Sequence, residues 1–106
     1  MKYIYNITYH IENSVFVQWQ KWIISHIEQL LSEGYFEEAK LLKIHAEYSD
    51  SQIYSIQFST FEEENISRFE ANFEAKSRHL LFLQFGEKVL PFATKIEIIE
   101  EFEKLK

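Results

Sequence analysis

The chain contains no cysteine. That absence excludes a disulfide framework and any thiolate zinc site, and it removes the usual sequence support for an oxidising compartment, so a cytoplasmic location is expected. Two glycines and one proline among 106 residues leave no flexible linker or low-complexity segment, and no repeat recurs at a solenoid period. A single domain over residues 1–106 is the expectation. Basic residues are few: eleven against seventeen acidic ones, a formal net charge of −6. Such a surface repels phosphate backbones, so nucleic acid is not an expected partner. Long apolar runs are missing too. In MKYIYNITYH polar residues interrupt each short stretch, so neither a secretory h-region nor a membrane span of about 20 residues is expected.

What the chain has in quantity is apolar surface, 46% hydrophobic and 17% aromatic, enough for one compact core. From Lys2 to Ile11 the odd positions Tyr3, Tyr5, Ile7, Tyr9 and Ile11 are apolar or aromatic, which is strand periodicity. Cap-type residues follow, and Phe16, Trp19, Ile23, Ile27 and Leu30 recur at helical spacing as far as Gly34. The spacing predicts a helix from Val15 to Glu33. A second strand is expected from Ala39 to Tyr48, with Leu42, Ile44, Ala46 and Tyr48 on one face and Lys43, His45 and Glu47 on the other. Ser49, Asp50 and Ser51 form a turn cluster before a third strand through Tyr54, Ile56 and Phe58. Thr60 and Glu63 have capping-box spacing, opening a second helix whose stripe is Ile66, Phe69, Phe73 and Leu80 and which ends near Phe85, before Gly86. A last strand is expected over Phe92 to Ile99, with a charged tail to Lys106.

The order strand, helix, strand, strand, helix, strand predicts an α+β fold: a ferredoxin-like β-α-β-β-α-β sandwich with an antiparallel four-stranded sheet and both helices on one face. Tyr5, Ile7, Tyr9, Ile44, Tyr54, Ile56 and Phe58 are expected under the helices. Asn6, Thr8, His10, Lys43, His45, Ser55 and Gln57 are expected on the other face.

Several short segments carry a resemblance: Tyr5-Asn6-Ile7-Thr8, Trp19, Trp22 and His26-Ile27, Gly34-Tyr35-Phe36, Tyr54-Ser55-Ile56-Gln57-Phe58, and His79, Phe85, Phe92 and Thr94. In these the chain resembles, over most of its length, a family of short bacterial proteins of unknown function related to the dimeric α+β barrel group. The resemblance implies a ferredoxin-like protomer whose sheet pairs with that of a second chain, and it brings no established activity. The family's proline soon after the helix-one histidine is replaced here by Ile27-Glu28-Gln29, which favours a continuous helix.

No nucleotide loop, nucleophile elbow, His-Glu-x-x-His helix or calcium loop occurs in the sequence. Steps of three and four set Trp19, Trp22 and His26 along one flank of helix one, where they are candidates to bind a ligand, with His26 the candidate acid or base. The competing reading is a packed tryptophan beside a hydrogen-bonded core histidine. On helix two, Arg78 is a candidate anion contact and His79 a candidate ligand-binding residue, against the alternative of solvated helix positions. In an antiparallel helix pair His26 and His79 fall roughly 12 Å apart, too far for one zinc ion. No metal and no cofactor is expected.

These readings describe a small homodimer that binds a small molecule or a protein partner, with no membrane partner. The alternative is a cofactor-free enzyme, resembling the oxygenase-like barrels, that uses a histidine as acid or base in a pocket between helix and sheet. Large apolar residues exceed what one core needs, notably Leu80 to Leu83 with Phe85 and, elsewhere, Trp22, Tyr35, Phe36 and Phe102, and that surplus motivates the dimer.

Overall fold

A computed structural model describes residues 2–47 and 50–105. The strands are β1 (Lys2–Glu12), β2 (Glu38–Ile44), β3 (Ser51–Thr60) and β4 (Val89–Ile98), and the helices are α1 (Phe16–Ser32), α2 (Glu63–Phe69) and α3 (Ala75–Phe85). All strand pairs are antiparallel, in the order β2-β3-β1-β4. This is the ferredoxin-like topology expected from the element order, with α2 and α3 standing for one predicted helix.

The period of two in β1 does the main work. Its inward residues Tyr5, Ile7, Tyr9 and Ile11 are buried, and Tyr5, Ile7 and Tyr9 face Phe58, Ile56 and Tyr54 across β3. On α1 the buried stripe is Trp19, Ile23, His26 and Leu30, spaced by four, three and four, so the whole stripe lies on the sheet side. An aromatic cluster closes one end: the Phe69 ring lies 5.1 Å from Tyr5 and 5.2 Å from Phe36, both edge-on. Such pairs add about 0.5–1.5 kcal/mol each beyond the area they bury.

Between α2 and α3 the chain makes a π turn over Glu70–Glu74. One extra residue rotates everything after it by about 100° relative to an unbroken helix. The buried positions therefore run Ile66, Phe69, then Ser77, Leu81 and Phe85. Leu81 takes the core position expected of Leu80, and Leu80 is half-buried. The break falls at residues 70–74, with no glycine or proline to mark it. Gly86 closes α3 at φ 60° and ψ −136°, a conformation reserved almost wholly for glycine, and Gly34 follows α1 at φ 84°.

Strand two is shorter than expected and its faces are exchanged. Leu41 pairs with Ile56 and Lys43 with Tyr54, so Ala39, Leu41 and Lys43 lie on the helix side. Leu42 and Ile44 share the open face with Ser55 and Ile53. Ile44 is thus not under the helices, Lys43 is not on the open face, and His45 lies beyond the strand end. Tyr48 and Ser49 lie outside the described residues. Thr60 does not cap through Glu63: its Oγ1 accepts from the Glu62 amide and from Asn65 Nδ2, both at 3.1 Å. Strand four begins at Val89 and carries Pro91 within it, which an edge strand tolerates because one side needs no ladder bond. Residues 99–105 form neither helix nor strand.

Both helical segments cover one sheet face, and the molecule is 19 Å along its shortest axis, the thickness of two layers. The other face is open. Its cross-strand rows read Glu38-Ser59-Ile4-Ile96, Lys40-Gln57-Asn6-Thr94, Leu42-Ser55-Thr8-Phe92 and Ile44-Ile53-His10-Leu90. A polar middle is flanked by apolar groups, with the Phe92 ring edge-on to His10 at 5.4 Å.

Candidate functional site

A cleft of about 70 Å³ opens between the sheet and the π turn with α3. Its floor is Tyr5, Ile7 and Tyr9 of β1 with Phe69 and Leu81, because those inward positions fall where the rotated helix no longer covers the sheet closely. Pro91 and Ala93, cross-strand neighbours of Tyr9 and Ile7, form the wall on the edge strand. Glu74, Ser77 and Arg78 bring polar groups from the helix. The π turn is what aims them inward; such turns recur at functional sites.

Two of the polar groups pair with each other. An Arg78 guanidinium nitrogen lies 3.0 Å from Glu74 Oε1. Burial, and then the Glu74 carboxylate, push the Tyr5 phenol up. Burial, and then Tyr5, push up that of Tyr9. Both therefore keep their protons and act as donors throughout the physiological range. Tyr9 is 3% exposed and presents its phenol to the cleft as a donor.

Behind the cleft, His26 Nε2 and Ser77 Oγ are 2.7 Å apart, the polar link from α1 to α3. Trp22 stacks on the imidazole at 4.4 Å and 18°, and meets Phe85 edge-on at 5.7 Å. Burial lowers the His26 pKa to about 4, so the ring is neutral at physiological pH. It reaches the cleft only through Ser77 and is not part of its lining.

The five residues singled out by sequence are thus separated. Trp19 is fully buried between Phe16, Tyr9 and Tyr54, with its Nε1 unpartnered. Trp22 and His26 form a stacked pair behind the cleft, Arg78 stands at it, and His79 is exposed on the helix surface outside its lining. Tyr5, Tyr9, Glu74 and Ser77 were not among the sequence candidates. The signal that points to the first two is a phenol at an inward strand position, which needs a polar partner that the pattern does not supply. Among the described residues no three His, Asp or Glu side chains gather as a metal site, and no helix is long and apolar enough to cross a membrane.

Residues 2–99 match the family described as "Domain of unknown function (DUF4286)". No curated protein matches the chain. Among solved structures, a dimeric ferredoxin-like protein from an uncultured marine organism is similar at a TM-score of 0.65 and 11% identity, over 95% of this chain and 98% of that one. A de novo designed protein, Foldit4, is similar at a TM-score of 0.58 and 6% identity, over 92% of this chain and 99% of the other. At these identities the likeness is one of fold.

Proposed function

The chain belongs to the DUF4286 family of domains of unknown function, and from that premise we propose that it is a homodimeric small-molecule-binding domain, joined through its open sheet face and holding a ligand in the cleft of each protomer. The observation that carries the ligand reading is the cleft itself, where the Tyr9 phenol, Ser77 and Arg78 gather beside Ile7, Phe69 and Leu81. The ligand class follows from the lining. Ile7, Phe69 and Leu81 take an apolar body, the Tyr9 phenol donates to an acceptor such as a carbonyl, and Arg78 stands near a polar end. At about 70 Å³ the cleft is half the roughly 150 Å³ that encloses a benzene ring, so it takes the end of a ligand that extends past Pro91.

The dimer reading rests on the open face, where Leu42 and Ile44 on one edge strand and Leu90 and Phe92 on the other are 36–55% exposed; the similar marine protein is described as dimeric. An acid/base role for His26 is the weaker reading, since a ring with a pKa of about 4 is a poor base at neutral pH and is screened from the cleft by Ser77.

Two measurements test this. Sedimentation of the full chain and of Phe92→Glu should give a dimer and a monomer respectively; a monomeric wild type at 100 µM would overturn the dimer. A library of small aryl ketones and aldehydes, screened by amide chemical shifts, should perturb Ile7, Tyr9 and Ala93 in the wild type and not in Tyr9→Phe. Shifts that persist in Tyr9→Phe, or that never fall in the cleft, would refute the ligand reading.

A further inference from the structure

The inward residues of β4 form one row beside the helix layer. Pro91, Ala93, Lys95 and Glu97 stand opposite Tyr9, Ile7, Tyr5 and Tyr3 of β1, and each of these pairs follows the last by roughly 7 Å along the strand. The helical segments pass that row in the reverse sense: Ser77 and Arg78 share the cleft with Pro91, whereas Glu63 and Ser67 share a second hollow with Glu97. This second hollow is wider, about 230 Å³, and Tyr3 and Ile66 complete its floor. Cleft and hollow adjoin, because their linings take successive inward positions on each element: Tyr5 then Tyr3 on β1, Phe69 then Ile66 on the helix.

What stands between them is an ion pair. At the Tyr5 row, Lys95 Nζ lies 3.4 Å from Glu70 Oε1, so the lysine stem crosses from the edge strand to the helix. Among the described residues it is the one ion pair that joins helix to sheet. The π turn prepares this arrangement. Glu70 and Glu74 are its first and last residues, and both face β4, the first reaching Lys95 and the second lining the cleft. The two side chains of the pair are 62% and 33% exposed, so water screens their attraction and the fold does not depend on it. The barrier can be removed without unfolding the protein.

The ligand reading above, on which the inference rests, gives the barrier a direction. With a carbonyl at Tyr9 and an apolar body over Ile7 and Phe69, the far end of the body points along β4 to the Tyr5 and Lys95 row. We propose that Lys95, held by Glu70, is the end wall of the cleft and sets the length of ligand it takes. A single-ring aryl ketone fits in front of the wall. A linear two-ring ketone has to pass it into the second hollow, where Glu63 and Glu97 accept from a hydroxyl at its far end.

Two probes test this, acetophenone and a para-acetylbiphenyl carrying a hydroxyl on its far ring, each titrated by amide chemical shifts. The wild type should bind acetophenone at least tenfold more tightly than the long ketone. In Lys95→Ala the long ketone should gain tenfold or more, with new shifts at Tyr3 and Glu97, while acetophenone stays within twofold. Lys95→Arg, which still reaches Glu70, should keep the wild-type preference. Glu70→Ala releases the lysine stem and should favour the long ketone threefold or more; an unchanged preference there would overturn the part given to Glu70. A wild type that takes both ketones equally, or a preference that Lys95→Ala leaves unchanged, would overturn the wall, and acetophenone shifts at Ile7, Tyr9 and Ala93 would still uphold the ligand reading. Neither ketone shifting the cleft in any of these proteins would overturn both.

Discussion

His26 offers a sharp test of the link between burial and stability. The ring is 5% exposed and its folded pKa is about 4, against an ordinary 6.5. Because the folded value is the lower one, the unfolded chain binds more protons between pH 6.5 and 4. Stability therefore falls as pH drops through that window and is unaffected by this group above it. At pH 4.5 the unfolded ring is almost fully protonated and the folded ring only partly so. The difference corresponds to a loss of about 2.5 kcal/mol relative to pH 7.5. Other groups titrate in the same range, so the useful quantity is a difference between proteins. Urea unfolding of the wild type and of His26→Gln, which stays neutral, should be measured at pH 7.5, 6.0, 5.0 and 4.5. The wild type should lose about 2.5 kcal/mol more than the variant across the series. Parallel curves, or an imidazole that titrates by NMR at 6.5 in the folded state, would refute the assignment of a desolvated neutral ring.

Ser77→Ala removes the bond to His26 Nε2 and leaves a buried ring nitrogen unpaired, so thermal or urea unfolding should show a loss of about 1–3 kcal/mol; a loss below 0.5 kcal/mol would mean the contact is not made. Tyr9→Phe removes the cleft's phenol donor and keeps the buried ring, so the apo protein should keep its stability to within about 1 kcal/mol, even as ligand binding is lost. Gly86→Ala meets no atom within 4 Å yet must hold φ 60°, so unfolding should report about 1–3 kcal/mol of backbone strain and no repacking. Lys2→Ala breaks a 2.6 Å contact to Glu38 at the surface, where water and salt screen the pair, and should leave the unfolding midpoint almost unchanged in the same assay.

The sequence was most legible where one period acted alone. In β1 every second residue from Tyr3 to Ile11 is apolar, and the burial follows that alternation. Strand two was ambiguous because Leu41 and Leu42 are adjacent, so either face could be read as the inner one. Only pairing with β3 decides, by setting Leu41 opposite Ile56 and Lys43 opposite Tyr54. The second helical segment was harder still. Leu80 to Leu83 is apolar through most of a turn, and the π turn that selects Leu81 carries no proline or glycine. His26 was legible as a residue beside Trp22, since both lie on one helix. Its bond to Ser77, 51 residues away, depends on how α1 and α3 meet. The cleft was missed for the same reason: Tyr5 and Tyr9 read as core, and the groups that make them polar neighbours come from a helix whose phase the sequence did not reveal.

The placement of the cleft on the edge strand ties the two proposed roles of the molecule together. Along β4, Pro91 and Ala93 line the cleft while Leu90, Phe92 and Thr94 point to the open face. A strand alternates its side chains, so the residues between the cleft contacts are the ones a partner sheet would press. Strand four pairs only with β1, and Pro91 offers no N–H for a ladder bond, which makes this the most easily displaced wall of the site. In the proposed dimer, a partner packed on Phe92 holds that wall against Tyr9 and fixes the width of the cleft mouth. Binding in the cleft and association through the sheet then favour the same position of β4, and linkage requires that each strengthen the other. The monomeric Phe92→Glu should consequently bind cleft ligands more weakly than the wild type, although residue 92 lies on the opposite face of the strand and touches none of them.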